Sequence, residues 1–350
     1  MRVDIVKNAP RSRFCIALQS AVGLMVGVFF VSIYSSCARR PRPPLPTVDG
    51  PEAKDLITRA TGCVVVDNPV AGITAIRVRD LKEVVVREPN PARDALHSVA
   101  GPDTEGWVVF VDFNMGTKTH SMKAIKMNGT DEQEIFDRPG DALWDNPMST
   151  PVLAPLGGNV AFLTQPVKAF APPIVSGPIE VWNIHTKTEH DTNVEALNHG
   201  LSWFPDGKHL TYVQPGGPEM VYVLDIESGE RKLLHKGRYA IVSTDGASVL
   251  VNTEEGNFVV DVKTGESRKI DWPGKWGAPV AFIGKDLLLY WGLPTTGAVA
   301  KVTENNSPLV GPKPMGTLKL ADLSSGKFQT VVPYIAPRRE VSFGITGVCP

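Results

Sequence analysis

The residues most able to do chemistry are few and scattered. His185, Glu189 and His190 fall together in the run HTKTEHD, and two imidazoles beside a carboxylate could ligate a divalent metal. Their spacing matches neither H-E-x-x-H nor the usual Cys/His ligand patterns, and the run lies between two strand-like stretches, where a solvated turn is expected. His97, His120, His199, His209 and His235 are spread along the chain without clustering. No G-x-S-x-G occurs, so no nucleophile elbow is present. Trp182 and Trp203 fall at strand positions that suit packing, and Asp206 and Asp245 each precede a glycine in a turn, which turn chemistry explains. The expectation is a protein that is not an enzyme and that holds no cofactor or metal.

The elements that would position any site are clearest from Gly200 to Lys236, GLSWFPDGKHLTYV, then QPGGPEM, then VYVLDIESGERKLLHK. Leu201–Phe204 is an apolar run ended by Pro205-Asp206-Gly207, and an Asp-Gly pair between apolar runs supplies the positive φ of a tight hairpin. Strands follow at Leu210–Val213, at Val221–Ile226 with strict alternation, and at Arg231–Leu234 after the Ser228-Gly229 turn. Two hairpins in succession make a four-stranded antiparallel unit that cannot bury both faces alone.

Looser copies of the second hairpin begin at Ile73, Met122, Ile179, Val221, Phe258 and Leu318, six in all, and copies of the first begin at Leu153, Val242 and Val280. Four-stranded units stacked radially describe a β-propeller, which hides strand edges by closing into a ring. The fold class is therefore all-β, a six-bladed β-propeller of four-stranded antiparallel blades. WFPDGKHLTYV followed by VYVLDIESGERKLL resembles the TolB-type propeller repeat, over a region from about residue 60 onward. TolB carries a separate α/β domain before its propeller; here only a short helical stretch, Glu52–Arg59, is expected between the N-terminal leader and the first strand. The resemblance implies a propeller outside the cytoplasm, with envelope proteins or peptidoglycan-linked lipoproteins as partners.

Propellers commonly close by mixing the two chain ends in one blade. If Val341–Thr346 supplies the inner strand of the blade made by Cys63–Val66, Ile73–Val78 and Glu83–Arg87, Cys349 leaves that strand where Cys63 enters the next. A Cys63–Cys349 disulfide is expected, which an oxidising compartment permits and which the loop-entropy model values at up to about 5 kcal/mol; two buried thiols are the other reading.

The first residues are expected to lie outside the fold. Arg2, Lys7, Arg11 and Arg13 precede an apolar run from Phe14 to Ile33, followed by Ser35-Ser36-Cys37 and a proline-rich stretch through Pro46. Three readings stand: a bacterial lipoprotein signal with Cys37 as the lipidated residue, an uncleaved membrane anchor, and an ordinary cleaved signal. Each places the ring outside the cytoplasm. The domain reading is 1–37 signal or anchor, 38–60 spacer and short helix, and 61–350 propeller. Formal net charge is −1 for the whole chain and −4 without the first 37 residues; with no basic face indicated, nucleic acid is not an expected partner.

Strand alternation decides which loops share a face. In each blade the first and third turns lie on one face, and the second turn and the interblade link lie on the other. Most turns of the first kind are short, but the second turn is long at Thr164–Pro178 and at Gly292–Gly316. These belong to the third and sixth units, across the ring from one another. Long connections on a rigid scaffold are where binding resides, so Phe170, Ile174, Val175, Leu309 and Val310, joined by Trp144 from the link RPGDALWDNPMST, form the candidate partner-binding set. The expected function is a membrane-tethered interaction or scaffold module of the cell envelope. An enzyme, small-ligand binder or metal binder with its site in the central channel is the alternative.

Overall fold

The fold is taken from a computed structural model, which describes residues 54–68, 72–88, 94–139, 148–164, 176–270, 278–292, 317–332 and 343–346 of the 350. Over these residues the chain forms 24 strands in six four-stranded sheets, and the strands within each sheet pair antiparallel, as the repeats predict. Blade one contains β1 (Cys63–Asn68), β2 (Gly72–Arg77) and β3 (Lys82–Arg87). Blade two runs outward from the axis as β4 (Asp94–Ala100), β5 (Trp107–Asn114), β6 (Thr119–Lys126) and β7 (Gln133–Pro139). Blade three is β8 (Val152–Leu153), β9 (Asn159–Leu163), β10 (Ser176–Asn183) and β11 (Glu189–Leu197); blade four is β12 (Ser202–Trp203), β13 (His209–Gln214), β14 (Met220–Asp225) and β15 (Arg231–Lys236). Blade five is β16 (Tyr239–Val242), β17 (Ser248–Thr253), β18 (Gly256–Asp261) and β19 (Ser267–Ile270), and blade six is β20 (Ala278–Phe282), β21 (Leu287–Gly292), β22 (Thr317–Asp322) and β23 (Phe328–Val332).

The ring closes as expected. β24 (Phe343–Thr346) adds to β1 as the inner strand of blade one, in a register that runs from Cys63 opposite Thr346 to Val66 opposite Phe343. Both ends of the sequence thus share one sheet.

The core lies between blades, and the two-residue period of each strand builds it. On β10, Ile179 and Val181 join Trp203, Leu210, Tyr212 and Leu224 of blade four. Ile184 and Trp182 turn the other way, toward Met122, Ala124 and Phe136 of blade two. Full burial of side chains such as Tyr212 and Phe162, at 1% and 0% exposure, contributes about 2–3 kcal/mol each by transfer free energy. Every blade therefore depends on both neighbours.

Local chemistry explains why the outer hairpins repeat. At the end of the third strand an aspartate oxygen accepts two turn N–H groups: Asp225 those of Glu227 and Ser228, Asp261 those of Lys263 and Thr264, Asp322 those of Ser324 and Ser325. The turn then needs a residue at positive φ, supplied by Gly229, Gly265 and Gly326 at φ 74°, 75° and 67°. In blade three Asn183 and Lys187 fill these roles, so HTKTEHD is the same turn in another wording.

The expected helical stretch before the first strand is a single 3-10 turn, η1 (Leu56–Arg59). It docks on blade six: Leu56 is buried, the Ile57 N–H donates to Gln329 Oε1 at 2.8 Å, and Arg59 Nη1 lies 2.6 Å from Asp322 Oδ2. The Thr61 N–H then donates to Ile283 O. Among the described residues no helix is long and apolar enough to cross a membrane. The predicted leader, with Cys15 and Cys37, lies outside them.

Candidate functional site

The residues proposed to contact a partner, Trp144, Phe170, Ile174, Val175, Leu309 and Val310, all lie outside the described residues, as does Cys349. What the structure describes are the roots of the segments that carry them. Arg138, near the end of β7, opens the link that holds Trp144; its Nη2 donates to Glu180 Oε1 at 3.2 Å. The same oxygen accepts the Thr164 hydroxyl at 2.6 Å, and Thr164 opens the long second turn of blade three. Glu180 is 7% exposed and the Arg138 side chain 35% exposed, so one buried carboxylate ties together the last described residues before both segments. Close packing continues at the far root, where a Cβ on Gly177 would run into Thr164 O.

One exposed apolar side chain of this face is described. Met115, 59% exposed, lies in the second turn of blade two, held by Asn114 Oδ1 accepting the Gly116 and Thr117 N–H groups. Sequence reasoning passed over it because Asn-Met-Gly-Thr-Lys reads only as a short turn.

The second place where a ligand could sit is the channel along the ring axis, with a cavity of about 650 Å³. Inner strands and their flanks line it, presenting Thr150, Asn198, His199, Ser202, Tyr239 and Thr244 among apolar residues. Among the described residues that line it, none is Asp, Glu, Lys or Arg. Burial pushes the Tyr239 phenol above its ordinary value, which keeps it a neutral hydrogen-bonding group. Such residues can hold an uncharged molecule by hydrogen bonds.

Charged groups gather between blades and at turns instead. Asp112, fully buried, takes a 2.9 Å bond from Lys123 Nζ and lies 3.7 Å from Arg87 Nη2, while Arg87 also donates to Glu132 at 3.0 Å. The Arg87 guanidinium stacks 4.9 Å from the Phe110 ring centre. His209 bridges two turns of blade four, with Nδ1 2.6 Å from Asp206 Oδ2 and Nε2 3.7 Å from Asp225 Oδ2. His185 is more than a solvated turn residue. It packs edge-on to Trp107 of blade two, with Nε2 3.6 Å from Glu105. His190 and Glu189 are exposed on β11, and no metal-ligating cluster occurs among the described residues. Trp203 is a packing residue, 6% exposed, its indole N–H donating to Val152 O.

No protein-family model matches the sequence, and no curated protein matches it. Solved structures do. A puromycin-hydrolyzing peptidase from Mycobacterium tuberculosis aligns at TM-score 0.53 and 14% identity, over 79% of this chain and 44% of the peptidase. A chain of a nidogen/laminin complex aligns at TM-score 0.52 and 11% identity, over 82% of this chain and all of the other. TolB from Acinetobacter baumannii aligns at TM-score 0.48 and 13% identity, over 78% of this chain and 69% of TolB. At these identities the likeness is one of fold.

Proposed function

We propose that the protein is an extracytoplasmic, membrane-tethered propeller that recognises a protein or peptide of the bacterial envelope. Its binding face is the one that carries the second turns. The observation that carries this reading is the six-blade order, in which blades three and six, whose sequences have the longest stretches between second and third strands, stand three apart in the ring. In blade three the Arg138–Glu180–Thr164 contact roots both the long turn and the preceding link. A rigid ring presenting apolar loops around one mouth lowers the ordering cost that recognition must overcome. The protein is read as a non-enzyme without cofactor. Cys37 is read as the lipid attachment site, and Cys63 and Cys349 as a disulfide.

The test compares the full chain with a variant in which residues 165–175 and 302–313 are replaced by Gly/Ser links, both solubilised from membranes and both melting cooperatively. A partner crosslinked to the full chain and lost from the variant would support the reading. Equal capture by both would remove the loop face from recognition, and capture by neither would turn the search to uncharged ligands in the channel. In the same preparations, Cys37→Ala should abolish incorporation of labelled fatty acid; undiminished labelling would exclude Cys37 as the acceptor.

A further inference from the structure

The outermost strand of a blade has one free edge, and charged side chains are a common means of keeping such an edge from meeting another strand. Counted from the turn before each outer strand, the pairing registers set His190 and Asp191 of blade three level with Lys232 and Leu233 of blade four and with Arg268 and Lys269 of blade five. In blade one the same level holds Val84 and Val85, opposite Ala75 and Thr74 of β2. Val84 is 38% exposed, Val85 51%, and Leu81 in the turn before them 38%. These are three of the six exposed large apolar side chains among the described residues. Clustered in this way, they mark a contact surface, where single exposed residues would not.

The two residues before the valines indicate what meets this surface. Lys82 and Glu83 are exposed, and neither takes part in an ion pair among the described residues, whereas the neighbouring Arg77 and Asp80 meet at 3.5 Å. Residues 82–85 pair in order with Arg77, Ile76, Ala75 and Thr74, and the register shifts only after Val85. Strand alternation puts Lys82 and Val84 on one face, where both line a groove of about 210 Å³ with Met127 of blade two, and Glu83 and Val85 on the other. A second β3 lying alongside in the same direction, about a two-fold axis parallel to both strands, keeps each residue at its level and exchanges the faces. Lys82 then stands beside Glu83 of the second copy, one step of about 3.3 Å along the strand, and Val84 stands beside Val85 of the second copy. The other face repeats both contacts.

An antiparallel approach offers no such match, because directly opposite residues then share a face. Centred on Lys82 or Glu83, the strand meets its own charge; centred on Val84, it sets Glu83 against Val85. Centred on Val85, it sets Glu83 against Arg87, whose guanidinium is already engaged by Asp112 and Glu132.

We propose that the outer edge of blade one is a self-recognition surface, on which a second copy of this chain docks through its own β3 to form a two-fold dimer. Exchange of the faces prevents a shared backbone ladder, so the contact runs through side chains: two Lys82–Glu83 pairs and two Val84–Val85 contacts, flanked by Leu81. Such an interface is small, at the low end of specific contacts, and the association is weak and reversible. If both copies are tethered as proposed above, confinement raises their effective concentration; the contact itself does not rest on that reading.

The test is sedimentation of the detergent-solubilised full chain over a range of protein concentrations. The native chain should form a concentration-dependent dimer. Lys82→Glu and Glu83→Lys each turn two attractions into two repulsions, since one substitution counts twice across the axis, and each should weaken the dimer about tenfold or more. An equimolar mixture of these two variants should regain a heterodimer, and the double exchange of Lys82→Glu with Glu83→Lys in one chain should regain the homodimer. Val85→Lys should abolish the dimer by setting an ammonium against Val84 of the second copy. The substituted side chains are exposed, and recovery by the double exchange separates a lost contact from a lost fold. A native chain that stays monomeric at every concentration would overturn the proposal, as would single variants that dimerise like the native chain. Weakening without recovery in the mixture would overturn the two-fold arrangement. Co-sedimentation of a different protein in place of a second copy, abolished by Val85→Lys, would give the edge to another partner and overturn self-recognition.

Discussion

Replacing Asp322 by alanine should loosen the docked lead-in and the third turn of blade six together. The carboxylate accepts the Ser324 and Ser325 N–H groups and the Ser324 hydroxyl, and it meets Arg59 Nη1 at 2.6 Å. Its side chain is 5% exposed while that of Arg59 is 46% exposed. The turn donors are therefore the larger loss, about 1–2 kcal/mol, and the half-exposed Arg59 pair adds about 0.5–1 kcal/mol. The total of about 1.5–3 kcal/mol corresponds to a fall in Tm of about 2–5 °C for a ring of this size. Burial by itself pushes the Asp322 carboxyl up, but the hydrogen bonds from Ser324 and Arg59 outweigh it and hold it well below the usual carboxylate range. A depressed folded value means that the stabilisation is complete above the unfolded value of about 4 and is lost as the pH falls further. The gap in stability between the native protein and Asp322→Asn should thus be constant from pH 7 to about 5 and shrink below about 4. Thermal and denaturant unfolding at several pH values measure this, with trypsin cleavage after Lys54 and Arg59 reporting the release of η1. An Asp322→Ala variant that melts within 1 °C of the native protein, or cleaves no faster, would refute the reasoning.

Two further substitutions probe the charges. Asp112→Ala should cost about 3–5 kcal/mol, because it strands the Lys123 ammonium between blades, whereas Asp112→Leu combined with Lys123→Met should recover most of that loss; a double variant no more stable than the single one would show that the pair is not what holds this site. Asp103 and Asp206 fill the same turn position with opposite tendencies. Burial raises the Asp103 carboxyl despite bonds from Trp107 and Glu105, while at Asp206 the bonds from Lys208 and His209 outweigh burial and lower it. Glu105 also raises Asp103 and Lys126 lowers it. A raised folded value favours stability at low pH and loses it as the pH climbs through that value. Asp103→Asn should consequently be as stable as the native protein or more so at pH 7, and Asp206→Asn less stable; equal responses in urea unfolding would refute the contrast.

Much of the architecture was legible because it is local. Asp225, Asp261 and Asp322, each followed four residues on by a glycine at positive φ, write a turn that depends on no distant residue, and two-residue alternation assigns the strands on either side. The pairing of Phe343–Thr346 with Cys63–Val66 was also readable, since three strands at the start of the ring lacked an inner partner and one strand at its end lacked a blade. Other features could not be read locally. Arg59 meets Asp322 across 263 residues, and the lead-in docks on blade six because ring closure carries blade one to that side. Asp103 and Asp206 look alike in sequence, yet one is buried and the other exposed, because neighbouring blades decide what solvent each turn retains. The same holds for the channel cavity, whose described lining residues, none of them Asp, Glu, Lys or Arg, come from five separate inner strands and their flanks. Sequence period and turn chemistry determined the blades; burial, and with it every charge state and contact between them, was decided by the packing of one blade on the next.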